Sequence, residues 1–166
     1  MSRRAAGERN RLLYGEATPR ADLPVLRAGP LVAVLDGIDI RYVKAGPDEL
    51  VRRIYVAVRD RRWGTVAPLV TDLEVTAASD TFRVTFRARH AAKELDYSYE
   101  GTITGDENGQ IAYSIDGTFN SDSTYSRIGI CVHHPLRETC GRPFRARTPE
   151  GEVRGTFPTQ PSHSGL

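Results

Sequence analysis

The stretch Phe82-Arg83-Val84-Thr85-Phe86-Arg87-Ala88-Arg89 decides the fold class. Phe82, Val84, Phe86 and Ala88 fall on one side of an extended chain, and Arg83, Thr85, Arg87 and Arg89 on the other. This is the period of a half-buried antiparallel strand. The pattern repeats downstream in Leu95, Tyr97, Tyr99, Gly101 and Ile103, in Ile111, Tyr113, Ile115, Gly117 and Phe119, and in Ile128, Ile130 and Val132. Asp106-Glu107-Asn108-Gly109 supplies a turn between two of these runs. Upstream, Leu31 to Leu35 and Ile38 to Tyr42 flank Asp36-Gly37, whose tolerance of positive φ predicts a hairpin.

Residues 49–63 are ambiguous, because Leu50, Val51, Ile54, Tyr55 and Val58 also fit helical spacing. The β-branched and aromatic run Ile54-Tyr55-Val56-Ala57-Val58 favours a strand. A last hairpin is expected from Arg142 to Phe157, turning at Pro149-Glu150-Gly151. Many short strands and little helix predict an all-β protein, an antiparallel β-sandwich of the galactose-mutarotase-like or a similar kind. The expected organisation is a flexible lead over residues 1–25, the sandwich over 26–158 and a polar tail over 159–166.

Of 166 residues, 39% are hydrophobic and 27% charged, so a core is expected and wholesale disorder is not. The basic residues, 23 against 21 acidic, are spread along the chain rather than gathered, which argues against a nucleic-acid partner. No apolar run suits a signal or membrane span, so a cytoplasmic protein without a membrane partner is expected, with Cys131 and Cys140 as free thiols.

Three constellations could carry chemistry. Cys131, His133 and His134, with Cys140 nearby, offer metal-ligand types, but their spacing matches no closed zinc pattern. In a strand, Cys131 and His133 would share one face while His134 follows Val132 toward the core, so no metal and no cofactor is expected. Outward Arg83, Arg87, Arg89, Glu94, Asp96 and Glu100 read as a solvated, mixed-charge sheet face. The segment Arg52 to Thr65, RRIYVAVRDRRWGT, sets guanidinium forks beside Tyr55 and Trp63, which suits a carboxylate or a polyhydroxylated ligand. The plainer reading of that segment is a solvated strand face with ordinary ion pairs. No G-x-S-x-G elbow, Gly-rich phosphate loop or H-E-x-x-H occurs.

Arg27-Ala28-Gly29-Pro30-Leu31, which would open the first strand, RRIYVAVRDRRWGTV at 52–66, the run from Ile103-Thr104-Gly105 to Ile115-Asp116-Gly117, and SRIGICVHHP at 126–135 followed by Cys140-Gly141-Arg142-Pro143 occur in that order. Together they resemble the N-terminal region of the D-apionate lactonase family over about residues 12–158. The sequence departs from that pattern at His133, where the family has an aliphatic residue before the equivalent of His134-Pro135. The resemblance implies hydrolysis of D-apionolactone to D-apionate for the longer protein. It also implies a TIM barrel following the sandwich, with the active site at the barrel strands' C-terminal ends. The expectation is thus a non-catalytic domain, truncated before its barrel, in which Arg53, Tyr55, Arg59, Asp60, Trp63, Arg127 and His134 line an interface with a barrel domain or subunit, or a site for a sugar acid or sugar lactone. The alternatives are a stand-alone carbohydrate-binding module and a small β enzyme acting by itself.

Overall fold

The computed structural model describes residues 22–160 together with Glu8, Arg11 and Leu12. Most of the expected lead and most of the expected tail lie outside the described residues. Eleven strands follow in order: β1 Val25–Ala28, β2 Leu31–Asp36, β3 Asp39–Ala45, β4 Asp48–Asp60, β5 Pro68–Ala77, β6 Phe82–Ala92, β7 Leu95–Gly105, β8 Ile111–Phe119, β9 Tyr125–His133, β10 Pro143–Thr148 and β11 Gly151–Thr156. A single helical turn, Leu136–Thr139, interrupts them.

β1-β2-β3-β4-β9 form one sheet, β5-β6-β7-β8 a second, and β10-β11 a separate hairpin. Every pairing is antiparallel. The ambiguous 49–63 stretch is strand up to Asp60, as its β-branched run requires. The predicted opening strand at 27–31 is instead two strands, because Gly29 takes φ +50° and the chain reverses at Gly29-Pro30. A side chain at Gly29 would also meet the Glu107 carbonyl oxygen, so glycine is needed there twice over.

Leu26, Ala28, Ala33, Leu35, Ile40, Val43, Val56 and Val58 of the first sheet pack against Phe82, Val84, Phe86, Ala88, Leu95, Tyr97, Tyr99 and Ile103 of the second. This shared core makes the architecture an all-β sandwich. Fully burying each large apolar side chain is worth about 1.5–3 kcal/mol. The aromatic residues fit because glycines face them: Phe82 lies opposite Gly105, and Phe86 opposite Gly101, on the neighbouring strand.

On the outer face of the second sheet, Arg87 bonds Glu100 and Asp72, and Arg89 grips Asp96 with two hydrogen bonds of 2.8 and 2.5 Å. Arg89 and Asn120 hold the Asp96 carboxyl down at about 2. This is the solvated charge ladder that the alternation predicts. Cys131 and Cys140 are free thiols. Among the described residues no helix is long and apolar enough to cross a membrane, and no three His, Cys, Asp or Glu gather around a possible metal position.

Candidate functional site, a notch in the five-stranded sheet

β4 is longer than β3, and that difference opens a notch. Their pairing runs from Ala45–Asp48 to Ile40–Ile54 and stops there. Further along the same flank, Thr65 bridges Arg59 and the Val66 N–H donates to the Val58 carbonyl at 3.1 Å. β9 occupies the opposite flank of β4 from Arg53 to Asp60. Between the β2–β3 turn and residues 64–66, the middle of β4 therefore has no strand beside it, and a recess of about 360 Å³ enters the sheet there.

Asp36, Asp39, Arg53, Tyr55, Arg59, Thr65 and His90 line this recess with Gly37 and apolar neighbours. Arg53 donates from Nε to Asp39 Oδ2 at 2.8 Å, and its Nη2 lies 2.5 Å from the same oxygen. The Arg53 guanidinium sits 4.1 Å over the Tyr55 ring, an arrangement that fixes its plane. Burial raises the Asp39 pKa, and the hydrogen bond and charge of Arg53 oppose that rise. Arg59 donates from Nη1 to Thr65 Oγ1 and has no acidic partner among the described residues.

His90 enters from the core side of β6 and is only 2% exposed. Its Nδ1 lies 2.7 Å from the Val66 carbonyl oxygen, so Nδ1 carries the proton. Nε2 is then an acceptor, and it is buried without a partner, as is the hydroxyl of Tyr99 stacked 5.7 Å away. Burial lowers the His90 pKa, against the pull of the Val66 carbonyl. The recess thus combines a guanidinium without an acidic partner, a bound Arg–Asp pair and a buried neutral imidazole. That set can orient a small polyhydroxylated acid or lactone, but its lining includes no serine or cysteine nucleophile.

Of the residues singled out in the sequence, Arg53, Tyr55 and Arg59 meet in the notch. Arg127 pairs with Arg59 across β4 and β9 and lies 5.6 Å from the Trp63 ring, next to the notch. Asp60 shapes the backbone instead. Its Oδ1 accepts the N–H groups of Arg62 and Gly64, both at 2.8 Å, and so builds the turn in which Trp63 takes φ +65°. Asp60→Ala is expected to cost about 1 kcal/mol of stability, measured by urea titration, by releasing those two donors. His134 stands apart, 6.5 Å from Phe157, in a recess with Arg52, Val132, Leu136 and Arg137. Val132 keeps the expected core-facing phase beside Ile54 but is 48% exposed, and His134, past the end of β9, is exposed rather than turned into the core.

Asp39, Thr65 and His90 escape a reading of the sequence. His90 alone carries a signal, since it continues the Phe82, Val84, Phe86, Ala88 phase as the one polar member of a core-facing row.

The family model for the N-terminal domain of D-apionate lactonase matches residues 11–164. The chain belongs to that family. Among curated proteins, this family member is 28% identical over 146 residues to the D-apionate lactonase of Brucella anthropi. The match takes in 87% of the chain but 24% of that relative, so the chain spans about a quarter of the relative's length. No solved structure matches it.

Proposed function

We propose that this D-apionate lactonase N-terminal domain is a cytoplasmic, non-catalytic module over residues 26–158, working with the barrel part of a lactonase that opens D-apionolactone, and that its notch holds the sugar acid or lactone. The observation that carries the reading is the guanidinium of Arg59, without an acidic partner among the described residues, in a recess of sugar-acid size. A carboxylate fits the Arg59 fork. Arg53, held by Asp39 and Tyr55, orients the ligand, while Trp63 and Arg127 edge the same loop. His134 serves the barrel-facing side rather than the notch.

Trp63 is the only tryptophan, which gives the test its readout. Titration with D-apionate is expected to change its fluorescence saturably, and Arg59→Ala to weaken binding about tenfold or more, the loss of one charge-assisted hydrogen bond. A response that stays flat to millimolar ligand sinks the binding reading. A second reading, a stand-alone carbohydrate-binding module, is favoured by the 49% exposure of Trp63; it predicts that neutral sugars bind as well as apionate does and that Arg59→Ala matters little.

A further inference from the structure

Among the described strands β9 is a long edge of its sheet, as nine-residue β8 is of the other, each with one charge and no proline or lysine. The other edge of the β9 sheet, β1, has only four residues. β5 begins at Pro68 and is broken by a register shift near Asp72, which takes φ +52°, and β8 carries Asp116 at its middle. Such devices discourage a foreign strand. β9 has nine residues, no proline or lysine, and its single charge, Arg127, near one end.

Its apolar side is also partly uncovered among the described residues. Ile128, Ile130 and Val132 pair with Val58, Val56 and Ile54 and so share their core-facing side. Ile128 packs on the core, yet Ile130 is 40% and Val132 48% exposed. On the opposite side, Gly129 has open space where a side chain would sit, a feature of strands that another backbone approaches.

We propose that a second copy of this chain docks on β9, the two β9 strands pairing antiparallel about a two-fold axis with Ile130 opposite Ile130 of the second copy. The register follows from the sequence. With Ile130 on the axis, Ile128 meets Val132 and Val132 meets Ile128, so every apolar core-side residue finds an apolar partner and Ser126 meets His134. Centring on Gly129 sets Ser126 against Val132, and centring on Cys131 sets Ile128 against His134. The chosen register also puts Arg127 opposite His133, never opposite another Arg127. The two five-stranded sheets become one of ten, and both edges are removed. A closed two-fold contact of this kind uses the same patch on both copies, and it is independent of what the notch binds.

Sedimentation of the full chain in reducing buffer tests this. The wild type is expected to show a monomer–dimer equilibrium below about 100 µM. Ile130→Lys and Ile130→Glu, at a half-exposed position, should each remain folded by circular dichroism and dimerise at least about tenfold more weakly, because like charges then face each other across the axis. Mixing the two variants should restore a dimer, since lysine then faces glutamate. A wild type that stays monomeric at that concentration, folded variants that dimerise as well as wild type, or a mixture that fails to recover would each overturn the proposal.

Discussion

Replacing Gly101 by valine is expected to lower the unfolding free energy by about 3 kcal/mol, seen as a lower urea midpoint with an unchanged slope. Gly101 on β7 lies directly opposite Phe86 on β6. A Cβ at Gly101 would stand 2.1 Å from Phe86 Cζ and 2.5 and 2.6 Å from the two Cε atoms. The end of a side chain can often swing away, but this one cannot. Phe86 is 3% exposed and is held edge-on by Tyr99 at 6.0 Å and by Tyr113 at 6.3 Å. The strand preference of valine returns at most about 1 kcal/mol, so overpacking wins. Trimming the ring should relieve the clash: Phe86→Leu combined with Gly101→Val should cost less than the two separate losses added together. Gly129→Ala, where nothing lies within reach, serves as the control and should stay within about 0.5 kcal/mol of wild type. A Gly101→Val protein as stable as that control would refute the close packing of ring over glycine.

The same pairing explains why the sheets are so legible in the sequence. Phe82 and Phe86 stand four residues apart, as do Gly101 and Gly105, in reversed order. An antiparallel register that sets each ring over a glycine satisfies both at once, and the alternating charges then fall outward into the Arg87–Glu100 and Arg89–Asp96 pairs. Period two is a local property, and local properties can be read from a sequence. The notch is not local. It exists because β3 starts at Asp39 while β4 runs on to Asp60, and because residues 64–66 return to the same flank. Arg53, Tyr55 and Arg59 stand out because they share one face of one strand. Asp39 and Thr65 come from other segments and look ordinary in the chain. Asp60 misleads for the converse reason: a carboxylate among arginines suggests a ligand site, yet its own turn takes up one of its oxygens.

His90 should set the acid limit of the fold. Its ring is neutral where it sits, and burial makes it reluctant to take a proton. In the unfolded chain an ordinary histidine titrates near pH ~6.5. Below that pH the unfolded state binds a proton that the folded state refuses, so stability is complete above ~6.5 and falls as pH drops toward the lower folded pKa. Asp96, held at about 2, loses its share only in much stronger acid. Asp39, raised by burial, has the opposite sign: its ionisation opposes folding, and its protonation in acid removes that cost. The decline between pH ~6.5 and ~5 therefore belongs to His90 among the groups with perturbed affinities. His90→Asn, whose amide nitrogen stands where Nδ1 does and can still donate to the Val66 carbonyl, should flatten that limb while leaving Val66 satisfied. His90→Ala should flatten it too, but at a cost of about 3 kcal/mol at neutral pH, because it leaves a ring-sized hole and an orphaned carbonyl. Urea midpoints at pH 7.5 and pH 5, values chosen about one unit or more either side of the free histidine, decide the matter. If wild type and His90→Asn lose equal stability between the two, the buried imidazole is not the group that senses acid.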